Sequence, residues 1–267
     1  MKGRVLIVAG SDSGGGAGIQ ADIKTVTALN AFAATAITAL TAQNTLGVHG
    51  VVSVDPAFVV QQMRVVLDDI GADCLKTGML HTPEIIAAVA DTIEDVASGI
   101  PLVVDPVMVA KGGARLLDDS AHDALMRRLL PLATVLTPNA PEAAALSGID
   151  VTDRDSQQAA GEALVAAGAA AVLVKGGHVP GDIIVDLLVT ARGVESFEGP
   201  RVDTAHTHGT GCTLASAIAA GLAQQMALHD AVARAREYVL RAIRSAPGYG
   251  HGHGPLNHAV TVRPLDD

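Results

Sequence analysis

Short apolar runs alternate with longer helical segments along almost the whole chain, and few architectures accept that pattern. The runs at 5–9, 35–41, 51–54, 73–77, 102–105, 134–137 and 171–175 are mostly continuous in apolar residues rather than alternating in and out. Strands of that kind are covered on both faces, as in a parallel sheet between helices. Helices are predicted over 17–29, 56–69, 83–96, 120–130, 141–146 and 156–167, with Pro56 and Pro83 at first-turn positions. The alternation predicts a doubly wound α/β sheet with right-handed crossovers. Near the C-terminus the rhythm changes. Segments 183–189 and 194–197 flank Thr190-Ala-Arg-Gly193 and predict a small hairpin. Two helices, 213–226 and 228–245, and a Gly- and His-rich tail at 248–255 follow. No linker or repeat divides the sequence, so residues 1–267 are read as one domain.

The chain is 49% hydrophobic but only 2% aromatic and has no Trp, so its core must be built from small and branched aliphatics at close spacing. A formal charge of −10 argues against a nucleic-acid partner, which needs a basic face. It leaves small anionic substrates open, because a helix mouth, a lysine and a metal ion reverse the potential locally. Two cysteines, Cys74 and Cys212, are too few for a disulfide framework and fit a reducing compartment. Met1-Lys-Gly-Arg4 leads into an apolar strand rather than a secretory leader. The uncharged run 25–54 is broken by Asn30, Gln43, Asn44, Gly47 and His49 and is read as buried structure, not a membrane span. A cytoplasmic protein without membrane contact is the expectation.

In open α/β sheets ligands bind beyond the C-terminal strand ends. The polar clusters fall there: residues 10–18, Gln43-Asn44, Gly78-Met79, Asp105-Pro106, 139–142 and Lys175-Gly-Gly177. The glycine loop at 10–18 is not a dinucleotide fingerprint, since the second strand ends in Gln43-Asn44 where an acidic residue is required, and no Gly-Lys-Ser/Thr marks a P-loop. It lets backbone approach an organic substrate, with Asp12 as an acceptor; alternatively Asp12 or Ser13 caps the next helix. Thr204-Ala-His-Thr-His-Gly-Thr-Gly-Cys212 runs into a small-residue helix. A glycine-rich helix N-terminus presents free N–H groups and partial positive charge, which suits phosphate. Cys212 sits in that field, which favours its thiolate.

Seven motifs occur in order: Gly10-Ser-Asp-Ser-Gly-Gly-Gly-Ala-Gly-Ile-Gln-Ala-Asp22, Thr38-Ala-Leu-Thr-Ala-Gln-Asn-Thr45, Lys76-Thr-Gly-Met-Leu80, Val104-Asp-Pro-Val-Met108, Thr137-Pro-Asn-Ala-Pro-Glu142, Lys175-Gly-Gly-His178 and His206-Thr-His-Gly-Thr-Gly-Cys212. Together they resemble the hydroxymethylpyrimidine/phosphomethylpyrimidine kinases of thiamine biosynthesis, over residues 5 to about 258. The resemblance implies a ribokinase-like three-layer sandwich, with a mostly parallel central sheet, helices on both faces and a small C-terminal hairpin. It implies an ATP- and Mg²⁺-dependent kinase acting on a pyrimidine alcohol and then on its monophosphate, and a homodimer. In the sugar kinases of this fold the helix-mouth motif ends in Asp; in this branch it ends in Cys.

By the same resemblance Gln43 recognises the aminopyrimidine, its amide matching an exocyclic amine beside a ring nitrogen. Asp12, the backbone near Met79, and Val107 complete that pocket. Gly209, Thr210, Gly211 and Cys212 form the catalytic mouth, with Cys212 accepting the alcohol proton. Lys175, Thr207, Asp105 and Asn139 face ATP phosphates. Glu142 and Asp105 are the metal candidates, through water; Asn139-x-x-Glu142 also reads locally as a capping box. Residues 107–117, with Lys111-Gly-Gly113, are read as a flap. His206, His208, His251 and His253 are read as turn and tail histidines rather than a metal cluster.

A thiol beside the acceptor has a rationale: in the second step the nucleophile is already a phosphate oxyanion, which a fixed carboxylate would repel and a neutral thiol would not. Two alternatives stay open. One is a pyridoxal kinase of the cysteine-containing type, in which a further flap cysteine lies where this chain has Ala110. The other is a nucleotide-binding sensor without turnover.

Overall fold

In the computed structural model, residues 1–108 and 119–263 are described. The flap read at 107–117 lies outside them apart from Val107 and Met108. Every predicted strand forms. They are β1 (Arg4–Asp12), β2 (Phe32–Asn44), β3 (Gly47–Ser53), β4 (Cys74–Thr77), β5 (Leu102–Val104), β6 (Val135–Leu136), β7 (Ala171–Val174), β8 (Ile183–Thr190) and β9 (Gly193–Pro200). The described residues place them in one sheet of order β3-β2-β1-β4-β5-β6-β7-β8-β9. From β2 to β7 all neighbours are parallel. β3 is antiparallel to β2 at one edge, and β8 and β9 form the antiparallel hairpin at the other.

Along β1 the side chains divide by parity, as the pleat requires. Leu6 and Val8 join a core with α2 (Pro56–Asp69), α3 (Pro83–Val96), α4 (Asp119–Ala124), α5 (Ala140–Ser147) and α6 (Arg154–Ala166). Val5, Ile7 and Ala9 join the opposite core with α1 (Gly18–Ala28), α7 (Thr210–Ala223) and α8 (Leu228–Arg244). The sheet is thus sandwiched between two helical layers. The scarcity of aromatics has its counterpart in α7, where nearly every residue from Thr213 to Ala223 is buried. Gly221 is needed there because a Cβ would come within 2.7 Å of the Ala231 Cβ on α8.

Three parts of the sequence reading change. The helix predicted over 120–130 is α4 followed by a π-helical stretch, Leu125–Leu129, and a 3₁₀ turn, Leu130–Leu132, which contains Pro131. A proline has no N–H to continue the α-helical ladder. The uncharged run 25–54, read as buried, is the end of α1 plus β2 and β3 and is buried only in part: Phe32, Leu40, Leu46 and Val52 are exposed, and no residue of β3 is buried. Among the described residues no helix is long and apolar enough to cross a membrane. Third, α7 begins at Thr210 rather than 213, because Gly209 caps it at φ +80° and the Thr-Gly-Cys segment forms its first turn.

The tail folds back across the molecule. His253 N donates to the Thr45 carbonyl at 2.9 Å, His208 N donates to the Gly254 carbonyl at 3.1 Å, and Pro255 pairs with His208. The tail therefore touches both the end of β2 and the approach to α7.

Candidate active site

The C-terminal strand ends converge on one cleft of about 1950 Å³. Its walls include Gly10, Asp12, Gln43, Gly78, Met79, Asp105, Val107, Asn139, Glu142, Lys175, Thr207 and residues 209–212. Every candidate residue named from the sequence thus borders a single space.

At its centre is the N-terminus of α7. Gly209 takes a left-handed conformation at φ +80°, and a Cβ there would run into the Gly16 carbonyl of the first glycine loop. Both strain and collision select glycine. Gly209→Ala is expected to cut turnover at least tenfold and to lower the melting temperature, since the mouth must move off the loop; a steady-state assay with thermal denaturation checks this. The backbone N–H groups of Gly211 and Cys212 have no partner among the described residues, as the first turn of a helix dictates. Thr210 makes only a long contact, 3.4 Å from its N to the Thr207 carbonyl, while its hydroxyl donates to the same oxygen at 2.7 Å.

Cys212 corrects the sequence reading. Burial pushes its thiol up to about 12, and Asp105 and Asp22 add to this. Lys76 and the Gly18 amide, which donates to the sulfur, only partly oppose the rise. Desolvation outweighs Lys76 and the Gly18 amide, so the part-buried side chain rests as a thiol rather than a thiolate.

Beneath the mouth lies a buried ion pair that sequence reasoning missed. Lys76 Nζ donates to both oxygens of Asp22 at 3.0 and 2.9 Å, and Ser216 on α7 donates to Asp22 Oδ1 at 2.7 Å. Lys76 and Asp22 are both fully buried. Burial is the largest influence and works against the ammonium charge, but the carboxylates of Asp22 and Asp105 together keep Lys76 charged, well above the ordinary lysine range. The signal was legible as a charged residue inside an apolar strand, which calls for a partner.

At the next strand ends, Lys175 Nζ is 3.4 Å from Asp105 Oδ1 and 3.9 Å from Glu142 Oε2. Burial opposes the Lys175 charge, yet Asp105 and Glu142 hold it above its usual range. Burial pushes the Glu142 carboxyl up to about 7, with Asp105 adding and Lys175 opposing. Glu142 and Asn139 also form the predicted capping box of α5: Asn139 N donates to Glu142 Oε2 at 2.7 Å and Glu142 N to Asn139 Oδ1 at 2.9 Å. Asp105 Oδ2 is buried with no hydrogen-bond partner. An orphaned carboxylate oxygen beside a second carboxylate is the donor chemistry a hard divalent cation takes.

On the recognition side, Asp12 proves to be a loop organiser. Its Oδ1 accepts from Gly14 N at 2.8 Å, and its Oδ2 accepts from Gly16 N at 3.0 Å, Ala17 N at 2.8 Å and His208 Nε2 at 2.9 Å. Little of it remains for substrate. The Met79 carbonyl is likewise engaged, by Gly10 N and the Thr38 hydroxyl, which leaves its N–H and its side chain. His208 is no bystander histidine: it is buried against both Asp12 and Gln43. Beyond the mouth the cleft continues between the β8–β9 hairpin and α8, past Ile184, Val202, Leu214, Leu240 and Ile243. Nothing in the motif pattern marked this apolar extension, because its residues come from four separate segments.

Comparisons with known proteins bear on the family and the fold. The family model for phosphomethylpyrimidine kinase matches residues 12–257. The hydroxymethylpyrimidine/phosphomethylpyrimidine kinase of Bacillus subtilis is 46% identical over 97% of this chain and 96% of its own. The thiamine biosynthesis bifunctional protein ThiED of Geobacter sulfurreducens is 50% identical over the whole chain, which spans 54% of that longer relative. Among solved structures, an ADP complex of Bacillus subtilis pyridoxal kinase superposes with a TM-score of 0.89 at 35% identity, covering 97% of this chain and 98% of that one. The fold is thus that of the ribokinase-like vitamin kinases, and the chain belongs to the phosphomethylpyrimidine kinase family.

Proposed function

We propose that the protein, acting as one domain over residues 1–267, is an ATP- and Mg²⁺-dependent kinase. It phosphorylates 4-amino-5-hydroxymethyl-2-methylpyrimidine and then the monophosphate to the diphosphate, serving thiamine biosynthesis in the cytoplasm as a homodimer. One observation carries this reading: unpaired amides at Gly211 and Cys212 open into the same cleft as Lys175, Asp105 and Glu142. Such a mouth grips a phosphoryl group, and phosphoryl transfer is chiefly positioning and charge stabilisation.

On this reading each group has a role. The pyrimidine ring lies near Gln43, Met79 and Val107, and its hydroxymethyl arm reaches toward the α7 mouth. The nucleotide takes the extension between the hairpin and α8, with its phosphates near Lys175 and Thr207. Asp105 and Glu142 would hold Mg²⁺, which supplies charge neutralisation on the phosphate oxygens when bound. The neutral Cys212 takes the alcohol proton on sulfur as its own S–H proton passes to an oxygen of the transferring group. The alcohol oxygen bonds to the γ-phosphorus as the bond from that phosphorus to the bridging oxygen breaks, so alcohol plus ATP gives a singly protonated phosphate monoester plus ADP. The second transfer starts from an oxyanion and needs no such relay.

Incubating the protein with Mg²⁺·ATP and the pyrimidine alcohol, with mass-spectrometric detection, is expected to give the monophosphate first and the diphosphate after it. Turnover on pyridoxal alone would instead favour the pyridoxal kinase reading, and ATP binding without any product would favour a silent sensor.

A further inference from the structure

Around Gln43 the hydrogen-bond inventory closes in only one way. The Gln43 carboxamide nitrogen lies 3.3 Å from His208 Nε2, and its oxygen 3.3 Å from Thr41 Oγ1. His208 Nε2 is also 2.9 Å from Asp12 Oδ2. Burial works to raise the Asp12 carboxyl, but bonds from His208 and from the Ala17 and Gly14 amides outweigh it and keep it ionised. An ionised carboxylate only accepts, so His208 Nε2 must carry the proton. A protonated Nε2 cannot accept from the carboxamide nitrogen, and two donors would then face each other. Rotating the Gln43 carboxamide by half a turn removes the conflict. Its oxygen then takes the longer arm of a three-centre bond from the His208 N–H, whose shorter arm goes to Asp12 Oδ2. Its nitrogen donates to Thr41 Oγ1, whose own proton already goes to the Ser11 carbonyl at 2.8 Å. Every donor meets an acceptor.

We propose that His208, anchored on Asp12, is a positioning residue that fixes the carboxamide of Gln43 with its oxygen toward His208 and its nitrogen toward Thr41, and thereby sets which heterocycle the site accepts. One lone pair and one N–H remain free for a ligand. Their fixed order accepts a ring that presents a donor to the oxygen and an adjacent acceptor to the nitrogen. A 4-aminopyrimidine does so with its amine and neighbouring ring nitrogen. The 4-oxo analogue presents a ring N–H and a carbonyl in the reverse order, and suits only the opposite amide orientation. Asp12, His208 and Thr41 therefore discriminate between the two without needing to touch either ring. This inference rests on the reading of Gln43 as the ring-recognition residue.

The test compares kcat/KM for the 4-amino and 4-oxo hydroxymethyl pyrimidines in the wild type, His208→Phe, His208→Gln and Thr41→Val. His208→Phe removes the donor and frees the carboxamide to turn. The preference for the amino substrate is expected to narrow by roughly tenfold or more, with the 4-oxo analogue gaining in absolute terms. Structural damage does not produce a gain. His208→Gln keeps an N–H donor at that place and is expected to retain the preference. Thr41→Val removes the acceptor on the other side and narrows it as well, which keeps the test decisive if His208→Phe does not fold. An unchanged ratio in both His208→Phe and Thr41→Val, or equal losses on both substrates, overturns the inference. A wild type that phosphorylates neither pyrimidine overturns the functional reading itself, an outcome separate from a discriminating wild type with indifferent variants.

Discussion

Lys76→Met is expected to cost about 3–5 kcal/mol of stability, because it leaves the Asp22 carboxylate buried without its counter-charge. For a chain of this size that is a fall of roughly 10 °C in melting temperature. The contact geometry argues for the upper part of the range: both carboxylate oxygens are engaged by one ammonium at 3.0 and 2.9 Å, with no exposure on either side. The companion double variant separates charge from shape. Lys76→Met with Asp22→Asn removes both charges yet leaves an acceptor for the Ser216 hydroxyl, and it is expected to recover most of the loss. Urea denaturation of the three proteins measures this. A single variant as stable as the wild type would show that the pair contributes no coupling.

The second large effect concerns Cys212. Cys212→Ala removes the proton relay and is expected to slow phosphorylation of the alcohol by about 100-fold or more, within the range of general acid–base contributions. Phosphorylation of the monophosphate is expected to fall by less than about tenfold, because its nucleophile arrives already deprotonated. Cys212→Ser retains an exchangeable proton on a similar arm and is expected to recover part of the first step. Initial rates measured separately from the alcohol and from the monophosphate decide the matter, and equal losses in the two steps would sink the division of labour. The burial that lifts the thiol to about 12 underlies this asymmetry. A carboxylate there would place fixed negative charge beside the incoming phosphate.

The sheet was legible because its strands are apolar on both faces, a pattern that loops and surface helices do not imitate. Pro56 and Pro83 marked the starts of α2 and α3 for a local steric reason, and both helices begin where the prolines predict. Glu142 was legible twice, as a cap and as a site residue, since both readings depend on a carboxylate three residues after Asn139. What escaped was whatever depends on separation in space. The charge state of Cys212 is decided by how deeply α7 is buried and by Asp22 and Asp105, which no spacing within 204–212 reveals. Lys76 and Asp22 are 54 residues apart, and His208 meets Asp12 across 196. Met79 was judged by position in a motif, whereas its carbonyl was already committed to neighbouring elements.

The returning tail has a mechanical consequence. It grips Thr45, two residues past Gln43, and also His208, one residue before the α7 cap. The two ends of the cleft are therefore lashed to a common strap and cannot drift apart separately. On the proposed reading the strap sets the span between ring and phosphoryl mouth, a span that the alcohol and its longer monophosphate must both bridge.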